Sequence, residues 1–430
     1  MIENEKTIEL LAPAGDMEKL RFALIYGADA VYFGGGTFSL RAAASEFSAE
    51  DTAAAVKLCH EYGAKAYLTL NIYPHDEDIE PLKEFLQSLH TDALPDAFIV
   101  SDPGVIYILK EVFPNIGSAN GPEIHLSTQA NVTSAPAAKF WYEQGVRRLI
   151  LARELSLGEI EKIRETIPSD MVLEAFVHGA VCMSYSGRCL LSNYMNGRDA
   201  NRGECSQPCR WNYALEEAKR PGEYMPIEED GRGTYILSAN DLCMIDHIEE
   251  LIRVGVSSFK IEGRMKSAYY VATIVRAYRW AIDAALKGES FDPLWFVELE
   301  KASHREFNTG FYFGVPGKDH NEKVTIAPRD HEGLEYIRGY EFLGVVTGHD
   351  VEKELVMIEI RGKISVGETI EIFGPKPGFE EVLVSELYYE DMIPVLSANK
   401  VMQTAYLKTA ASADIGDMVR RAKHEAPSSL

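Results

Sequence analysis

Cysteine is concentrated in one short stretch of the chain. Four of the six cysteines fall within twenty-eight residues, namely Cys182, Cys189, Cys205 and Cys209. The stretch is rich in Gly, Asn, Arg and Ser, so neither core packing nor chance exposure accounts for four thiols there. Thiolates in such loops converge on a soft metal ion or cluster. The stretch therefore predicts a metal site, with a redox metal as the leading interpretation.

The spacing of these cysteines favours an iron-sulfur cluster. It is Cys-x6-Cys-x15-Cys-x3-Cys, which lacks the two-residue knuckle of structural zinc ribbons. A cluster tolerates wide spacing because it spans the gap between its ligands. Zinc stays open as an alternative, since it also accepts four thiolates. A nucleophilic cysteine is disfavoured, because it needs one activated thiol beside a base and neighbouring thiols would compete for oxidation.

Length and composition indicate a folded protein of two or three domains. The chain has 430 residues, 46% of them hydrophobic, which can fill a substantial core. The first residues lack a basic region followed by an apolar run, and no apolar run approaches a membrane span of about eighteen residues. We expect a cytoplasmic protein without a membrane partner, in which clustered cysteines are metal ligands or redox groups.

The charges are unevenly distributed. The net charge of −23 opposes a nucleic-acid partner, and we expect no DNA partner. Residues 182–210, however, hold four arginines against two acids, and residues 260–280 carry a net +4. An anionic substrate, either RNA or a small carboxylate, fits that asymmetry. Solvated surface charge is the alternative for Arg276 and Arg279.

The first two thirds of the chain alternate between strand and helix patterns. Capping boxes at Ser48 with Asp51 and at Ser156 with Glu159 predict two of the helix starts. Eight strands, each followed by a helix, indicate a TIM-like (β/α)8 barrel over residues 1–325, with an open doubly wound sheet as the alternative. The predicted strands begin near residues 10, 30, 66, 97, 124, 148, 172 and 258. The Cys-rich insertion at 180–240 then follows the seventh strand, on the rim where barrel enzymes place their chemistry.

Residues at or just past the strand ends are the candidates for that chemistry. His178 lies four residues before the first clustered cysteine, although a lone histidine is commonly a hydrogen-bonding partner behind a metal ligand. Arg264 suits a carboxylate or phosphate through its planar guanidinium. We assign catalytic roles to His178, Glu262 and Glu174, and substrate binding to Arg264, Lys260, Arg198, Arg202, Gln129 and Arg153.

The pattern changes after the barrel. From Tyr340 onward short alternating segments are divided by Gly-rich turns, which predicts a small all-β barrel domain over residues 335–425. Residues 363–375 and 413–420 resemble the second, barrel-shaped domain of translation GTPases. That resemblance suggests contact with RNA or with a partner protein.

The cysteine segment also carries a family resemblance. Residues 174–192 read EAFVHGAVCMSYSGRCLLS and are followed by the Gly-Arg and Gln-Pro-Cys-Arg elements of residues 197–210. This segment resembles the signature of the collagenase-like peptidase family, whose proteolytic mechanism is unassigned. LLAPAG at 10–15, LSTQ at 126–129 and FKIEGRMKS at 259–267 also match. The resemblance therefore spans nearly the whole chain.

Within that family the sequence is most similar to the tRNA uridine hydroxylation branch. The resemblance implies an iron-sulfur cluster, 4Fe-4S in type, on Cys182, Cys189, Cys205 and Cys209. It implies hydroxylation of the wobble uridine of tRNA to 5-hydroxyuridine without molecular oxygen, and dependence on prephenate. A shorter paralogous subunit is a candidate partner beside tRNA. Other branches modify a ribosomal cytidine or act in quinone hydroxylation.

Two other functions remain open. Peptide hydrolysis on the same barrel needs a metal-bound water, an activated nucleophile or a carboxylate pair. The chain has no His-Glu-x-x-His and no Gly-x-Ser-x-Gly, although such groups can also assemble from distant sequence. The second alternative is a non-catalytic factor that binds RNA or a partner and holds a structural zinc.

Overall fold

A computed structural model describes residues 8–40, 47–118, 120–182, 184–210, 240–314, 337–389 and 392–423, together with four two-residue strands between 211 and 239. The strands of the first part are β1 (Glu9–Pro13), β2 (Ala30–Gly34), β3 (Lys65–Leu70), β4 (Ala97–Val100), β5 (Glu123–Leu126), β6 (Arg148–Ile150), β7 (Val172–Ala180), β8 (Leu215–Glu216), β9 (Tyr224–Met225), β10 (Glu229–Asp230), β11 (Gly233–Thr234), β12 (Asp241–Cys243), β13 (Ser258–Ile261) and β14 (Phe307–Asn308). Its α-helices are α1 (Met17–Ile25), α2 (Ala49–Glu61), α3 (Asp76–Ser88), α4 (Pro103–Val112), α5 (Ala135–Glu143), α6 (Leu157–Thr166), α7 (Leu191–Asn196), α8 (Ile248–Arg253), α9 (Ala268–Lys287) and α10 (Pro293–Glu300).

Eight parallel strands close into a barrel. Strands β1 to β7 pair in sequence order, and β13 pairs with both β7 and β1. The strands are short and almost wholly buried, because helices cover their outer faces and side chains fill the interior. This confirms the predicted TIM-like barrel. The capping boxes at Ser48 and Ser156 are present and begin α2 and α6.

The cysteine segment leaves the barrel at the end of β7. The chain returns through β12, which runs antiparallel to β7, and β14 then pairs with β12. The barrel sheet is thereby extended by two strands beside the insertion. Much of residues 211–239, the second half of the predicted insertion, lies outside the described residues.

Residues 337–423 form a separate antiparallel sheet with its own core. Its strands are β15 (Tyr340–Asp350), β16 (Leu355–Ile360), β17 (Ile364–Ser365), β18 (Thr369–Phe373), β19 (Glu380–Leu383), β20 (Leu387–Tyr388), β21 (Pro394–Val395), β22 (Ser397–Ala398), β23 (Thr404–Lys408) and β24 (Met418–Ala422). Eight of them form one sheet in the order β19-β18-β24-β15-β16-β23-β20-β21, a half-barrel, and β17 pairs with β22. The predicted all-β character is confirmed.

Helix α9 of the barrel packs against the half-barrel. Arg276 on this helix donates to the backbone oxygens of Lys376 and Gly378, each at 2.8 Å, and Trp280 donates to Pro375 O at 2.8 Å. Tyr26, which follows α1, donates its hydroxyl to Phe373 O at 3.1 Å. These contacts fix the half-barrel against the outside of the barrel. In the described part of the chain no helix is long and apolar enough to cross a membrane.

Candidate active site

A cavity of about 640 Å³ lies at the C-terminal ends of the barrel strands, beneath the cysteine segment. Since all parallel strands end on the same face, their last side chains and the loops after them surround one opening. The barrel contributes Tyr32, Thr69, Asn71, Gln129, Arg153, Phe176, Lys260, Glu262 and Arg264 to its wall. The segment above contributes Cys182, Cys189, Cys205 and Cys209. Four of the six predicted substrate-binding residues therefore line one cavity with all four clustered cysteines.

The four thiols suit a soft metal or cluster by their chemistry. None of them is in a disulfide, and the backbone N–H of Gln207 donates to Cys205 Sγ at 3.4 Å. Among the described residues, no group of three or more His, Cys, Asp or Glu side chains already has the arrangement of a metal site. By its chemistry the donor set fits an iron-sulfur cluster or zinc.

Close packing holds the cysteine segment on the rim. Gly187, at φ +70°, lies so near the wall that a Cβ there would be 3.0 Å from the Tyr73 ring and 3.2 Å from Gln129. The backbone N–H of Tyr73 donates to Asn201 O at 3.2 Å, and Asn201 Nδ2 donates to Cys189 O at 3.3 Å. Only glycine fits this approach at position 187. The segment is thus fixed between its first and second cysteine.

Two predicted substrate-binding arginines lie outside the cavity. Arg202 Nη1 pairs with Glu77 at 3.1 Å and Arg202 Nη2 with Asp78 at 2.8 Å, which ties the insertion to α3. Arg198 is exposed beyond α7. Neither side chain is part of the cavity wall. Carboxylates of a distant helix occupy Arg202, which a local charge count could not show, and the substrate-binding role of the exposed Arg198 stays a prediction.

Gln129 is a fixed part of the wall. Its Oε1 accepts from Asn71 Nδ2 at 2.6 Å and from Ser127 Oγ at 3.1 Å, and its Nε2 donates to Asn71 O at 2.8 Å. Tyr73 donates its hydroxyl to the backbone oxygen of Gln129 at 2.8 Å. These bonds hold the amide in one orientation, so Gln129 shapes the cavity and positions Tyr73.

Arg153 and Arg264 supply cations to the wall. The guanidinium of Arg153 lies 4.0 Å from the centre of the Phe176 ring, and its Nη1 donates to Ala180 O at 3.2 Å. Its Nε is buried without a hydrogen-bond partner among the described residues. Arg264 Nη1 donates to Ser39 Oγ at 3.1 Å and to Thr69 Oγ1 at 3.0 Å. Both guanidinium groups are held rigidly, as binding of an anion requires.

Lys260 and Glu262 lie at the end of β13. Lys260 Nζ donates to Glu174 Oε1 at 2.8 Å and lies 4.2 Å from the centre of the Tyr32 ring. Burial lowers the pKa of Lys260, and the Glu174 carboxylate opposes that shift. Tyr32 donates its hydroxyl to Ile261 O at 2.9 Å and to Glu262 Oε2 at 3.3 Å. Tyr32 was not among the predicted residues, because in an apolar strand its pattern indicates packing.

Glu174 belongs to a buried ion network inside the barrel, which corrects its proposed catalytic role. It is 0% exposed and accepts from Arg148 Nη1 at 3.1 Å as well as from Lys260. Arg148 also pairs with Glu9 at the start of β1. Burial raises the pKa of Glu174, but Lys260 and Arg148 outweigh it, and the pKa lies below its ordinary value. Glu174 therefore neutralises buried cations and does not reach the cavity.

His178 also points away from the cavity, and a β-bulge is the reason. Opposite β13, Phe176 pairs with Lys260 whereas His178 pairs with the very next residue, Ile261. The extra residue in β7 inverts the facing of His178, since side chains alternate with a period of two. Its ring packs against Tyr278 and Phe307 at centroid distances of 5.5 and 5.4 Å. Burial lowers the pKa of His178 to about 3, so the imidazole is neutral.

Comparison with known proteins places the chain in a family. The model of peptidase family U32 matches residues 15–322, and that of the family's C-terminal domain matches residues 338–420. The tRNA hydroxylation protein P1 of Bacillus subtilis is 38% identical over 427 residues, covering 97% of this chain and 96% of its own. The tRNA hydroxylation protein P of Escherichia coli is 40% identical over 415 residues, covering 86% of each chain.

A collagenase of Porphyromonas gingivalis is a further relative, 34% identical over 405 residues, with 90% of this chain and 91% of that protein covered. Among solved structures, a U32 peptidase aligns with 62% of this chain and 97% of its own at 12% identity and a TM-score of 0.39. The closed pairing of β13 with both β7 and β1 defines the barrel. The two family models and the full-length relatives show that the chain belongs to peptidase family U32.

Proposed function

We propose that this protein is an enzyme that hydroxylates a uridine of tRNA. The observation that carries the proposal is the rim cavity, in which the four-cysteine segment faces Arg153 and Arg264. It is supported by two relatives named tRNA hydroxylation proteins, at 38% and 40% identity over most of their length. A base can enter a cavity of about 640 Å³ only after it leaves its stack, as enzymes that act on bases require.

The proposal extends to the finer chemistry. The product is 5-hydroxyuridine at the wobble position, formed without molecular oxygen and with prephenate as co-substrate, on a 4Fe-4S cluster. Cys182, Cys189, Cys205 and Cys209 would hold the cluster, whose donor requirement they match. When bound, the cluster supplies electron transfer and a Lewis-acidic iron.

The chain's own residues would bind and orient the substrates. Arg153 would donate to a carboxylate of the co-substrate through its buried Nε, since nothing in the described protein occupies that donor. Arg264 would add a second fixed cation for a dicarboxylate. Glu262 is the cavity carboxylate placed to move a proton, with Tyr32 donating a hydrogen bond to its Oε2 at 3.3 Å. Lys260 lines the same wall, with its charge already paired with Glu174.

Peptide hydrolysis is the second candidate, favoured by the family and by the collagenase relative. Within the described residues no histidine lines the cavity, so a Ser-His or Cys-His couple is not formed there. A hydrolytic reaction would then need a metal-bound water or a carboxylate pair.

Nucleoside mass spectrometry of tRNA tests the proposal. In a deletion strain we expect 5-hydroxyuridine to disappear, to return with the wild-type chain, and to stay absent with Cys205→Ala. Anaerobically purified protein should contain iron and acid-labile sulfide, and Cys205→Ala should lose both. Unchanged 5-hydroxyuridine in a strain with no second pathway would refute the activity, and zinc in place of iron would refute the cluster.

The same preparations separate the peptidase alternative. Cleavage of collagen or casein by the wild-type protein, with 5-hydroxyuridine unaffected by the deletion, would establish hydrolysis instead. A protein that cleaves nothing and restores the nucleoside supports the hydroxylase.

A further inference from the structure

A shallow recess of about 530 Å³ adjoins the cavity. It is lined by Asn131, Thr133, Ser184, Tyr185 and Arg188. The last three residues also line the cavity beside it. The recess and the cavity are therefore adjacent, and one ligand could extend across both. The chemistry proposed for the cavity uses none of these five side chains.

Two buried polar atoms of the recess have no hydrogen-bond partner among the described residues, namely Asn131 Oδ1 and Ser184 Oγ. The orientation of the Asn131 amide is fixed, since its Nδ2 donates to Gln129 O at 2.7 Å and to Ser186 O at 3.2 Å. Its Oδ1 therefore remains as an acceptor, and Ser184 adds a hydroxyl that can donate or accept. Buried polar groups in native proteins are normally paired, so these two atoms indicate a ligand with both donors and acceptors.

The other walls supply an aromatic face and a cation. Tyr185 is 47% exposed. Arg188 is exposed, and its guanidinium carbon lies 5.5 Å from the centre of the Tyr73 ring, which restrains the side chain. An exposed ring, a cation and unpaired edge-binding groups are the elements by which proteins bind single-stranded nucleic acid. The recess has these elements although the chain carries a net charge of −23.

We propose that this recess binds the nucleotide next to the one whose base enters the cavity. Its base would stack on Tyr185, a donor on its edge would reach Asn131 Oδ1, and Arg188 would contact its phosphate. This inference rests on the proposed function, because it assigns the RNA a path across the same site. A peptide backbone could donate to Asn131 Oδ1 but would bring neither a base to stack on Tyr185 nor a phosphate to Arg188. Peptide binding in the recess would contradict the inference.

The aromatic face is tested by RNA affinity, measured by fluorescence anisotropy with the full-length protein and an anticodon stem-loop. Tyr185→Leu should weaken binding about fivefold to a hundredfold, the range for loss of one base–aromatic stack. Tyr185→Phe should bind as wild type, because it keeps the ring. Tyr62→Leu is a matched control at the end of α2, with 49% exposure, and should have no effect.

A double-mutant cycle identifies the partner of Tyr185. An abasic site next to the target uridine removes the stacking base, so Tyr185→Leu should cost little further affinity on that RNA. Arg188→Gln should instead reduce the slope of log affinity against log salt by about 0.7, as expected for one phosphate contact to a single strand. Ser184→Ala should weaken binding without lowering Tm, since its hydroxyl has no hydrogen-bond partner to lose among the described residues.

The outcomes separate this inference from the proposed function. Wild-type hydroxylation together with additive effects of Tyr185→Leu and the abasic site would overturn the recess and leave the activity standing. A wild-type protein that neither binds the stem-loop nor forms 5-hydroxyuridine would overturn both. Slower cleavage of gelatin by Tyr185→Leu, with RNA affinity unchanged, would make the recess a peptide site and overturn the inference.

Discussion

At the scale of single residues, Arg153 is the cation of the cavity wall to which we assign the carboxylate of the co-substrate. Its guanidinium is fixed by the Phe176 ring and by Ala180 O, while its Nε remains buried and without a partner in the described protein. An unsatisfied buried donor costs about 1–3 kcal/mol. A carboxylate at that position would recover the cost and gain a charge-assisted hydrogen bond. The Arg153 guanidinium is therefore already oriented before a ligand binds.

Replacing Arg153 by Lys should weaken binding of the carboxylate co-substrate more than it changes turnover. Lysine keeps the charge but loses the planar donor set, so we expect KM for the co-substrate to rise about tenfold to a hundredfold, with kcat changed less. Steady-state kinetics of tRNA hydroxylation at varied co-substrate concentration measures this.

Arg147→Lys is the matched control. Arg147 also lies over an aromatic ring, 4.5 Å from the centre of Tyr142, and also donates to backbone oxygens, but it is outside the cavity. Its KM should equal that of the wild type. Equal KM values for Arg153→Lys and wild type would show that Arg153 does not bind the co-substrate.

Two buried histidines make the stability of the fold depend on pH. Burial lowers the pKa of His178 to about 3 and that of His125 to about 4, from the ordinary value of 6.5. Between pH 6.5 and 4 these two histidines therefore bind protons in the unfolded chain but not in the folded chain. The contribution of these histidines to the free energy of unfolding is therefore fully present above pH 6.5 and is lost as the pH falls.

We expect the free energy of unfolding to fall by about 2 kcal/mol for each of these histidines between pH 7 and pH 5. Urea unfolding at the two pH values measures the change. His178→Phe, which suits the aromatic surroundings of Tyr278 and Phe307, should remove about half of the histidine contribution. A stability that is flat across this range would contradict the prediction.

At the scale of elements, the site depends on how the cysteine segment is held over the barrel. Gly187 contacts Tyr73 and Gln129 on the barrel rim, and Arg202 ties the second half of the segment to α3. Within the segment, the short helix α7 lies between the second and third cysteines, and the backbone N–H of Ser206 donates to Ser192 Oγ at 3.1 Å. These internal bonds and the contacts with the rim together position the thiols. Functional residues on loops are generally positioned by a rigid scaffold in this way.

Gly187→Ala should reduce iron content without unfolding the barrel. The new Cβ would be 3.0 Å from the Tyr73 ring, so the segment must move away from the rim. Gly197→Ala is the control, because Gly197 has nearly the same φ, +72°, and no atom within 4 Å of the position that a Cβ would take. Both variants carry a left-handed backbone strain of about 1 kcal/mol, and only Gly187→Ala displaces the thiols. Iron per chain after anaerobic purification measures the difference, and equal loss in both variants would contradict it.

At the scale of the whole molecule, a buried ion network joins the half-barrel to the barrel. Arg420 of β24 is 0% exposed, and its Nη1 and Nη2 pair with Glu298 of α10 at 2.6 and 2.9 Å. Its Nε donates to Glu371 at 2.6 Å, and Lys301 pairs with the same carboxylate at 3.2 Å. Because the charges are sequestered between two cores, the two parts of the chain are held as one unit.

Arg420→Leu should destabilise the protein by about 3–5 kcal/mol, because it removes the nearest cation from two largely buried carboxylates. Arg421→Leu, at the next position of β24, should cost no more than about 1 kcal/mol, since its pairs with Glu341 and Glu368 are partly exposed. Thermal and urea unfolding of the two variants should separate them clearly. Similar losses would mean that the interface does not depend on this network.

Local patterns in the sequence determined the elements and the chemical type of the site. Short apolar strands, capping boxes at Ser48 and Ser156 and the count of eight strand-helix units specify the barrel, since each depends on neighbouring residues only. The density of cysteines after β7 likewise marked the segment that lies over the cavity. Gln129, Arg153, Glu262 and Arg264 reach the cavity because each closely follows a strand.

Only the tertiary structure decided which polar residues the cavity receives. A single extra residue in β7 turns His178 from the interior to the helices, and the partners of Glu174 and Arg202 come from strands and helices far along the chain. The side-chain direction after a bulge and the ion pairs between residues far apart in sequence are determined only when the barrel closes. No local pattern in the sequence therefore encodes them. The thiols and the rim could thus be predicted from the sequence. The contacts of Arg153, and which atoms of the recess have no hydrogen-bond partner among the described residues, depend on the closed barrel.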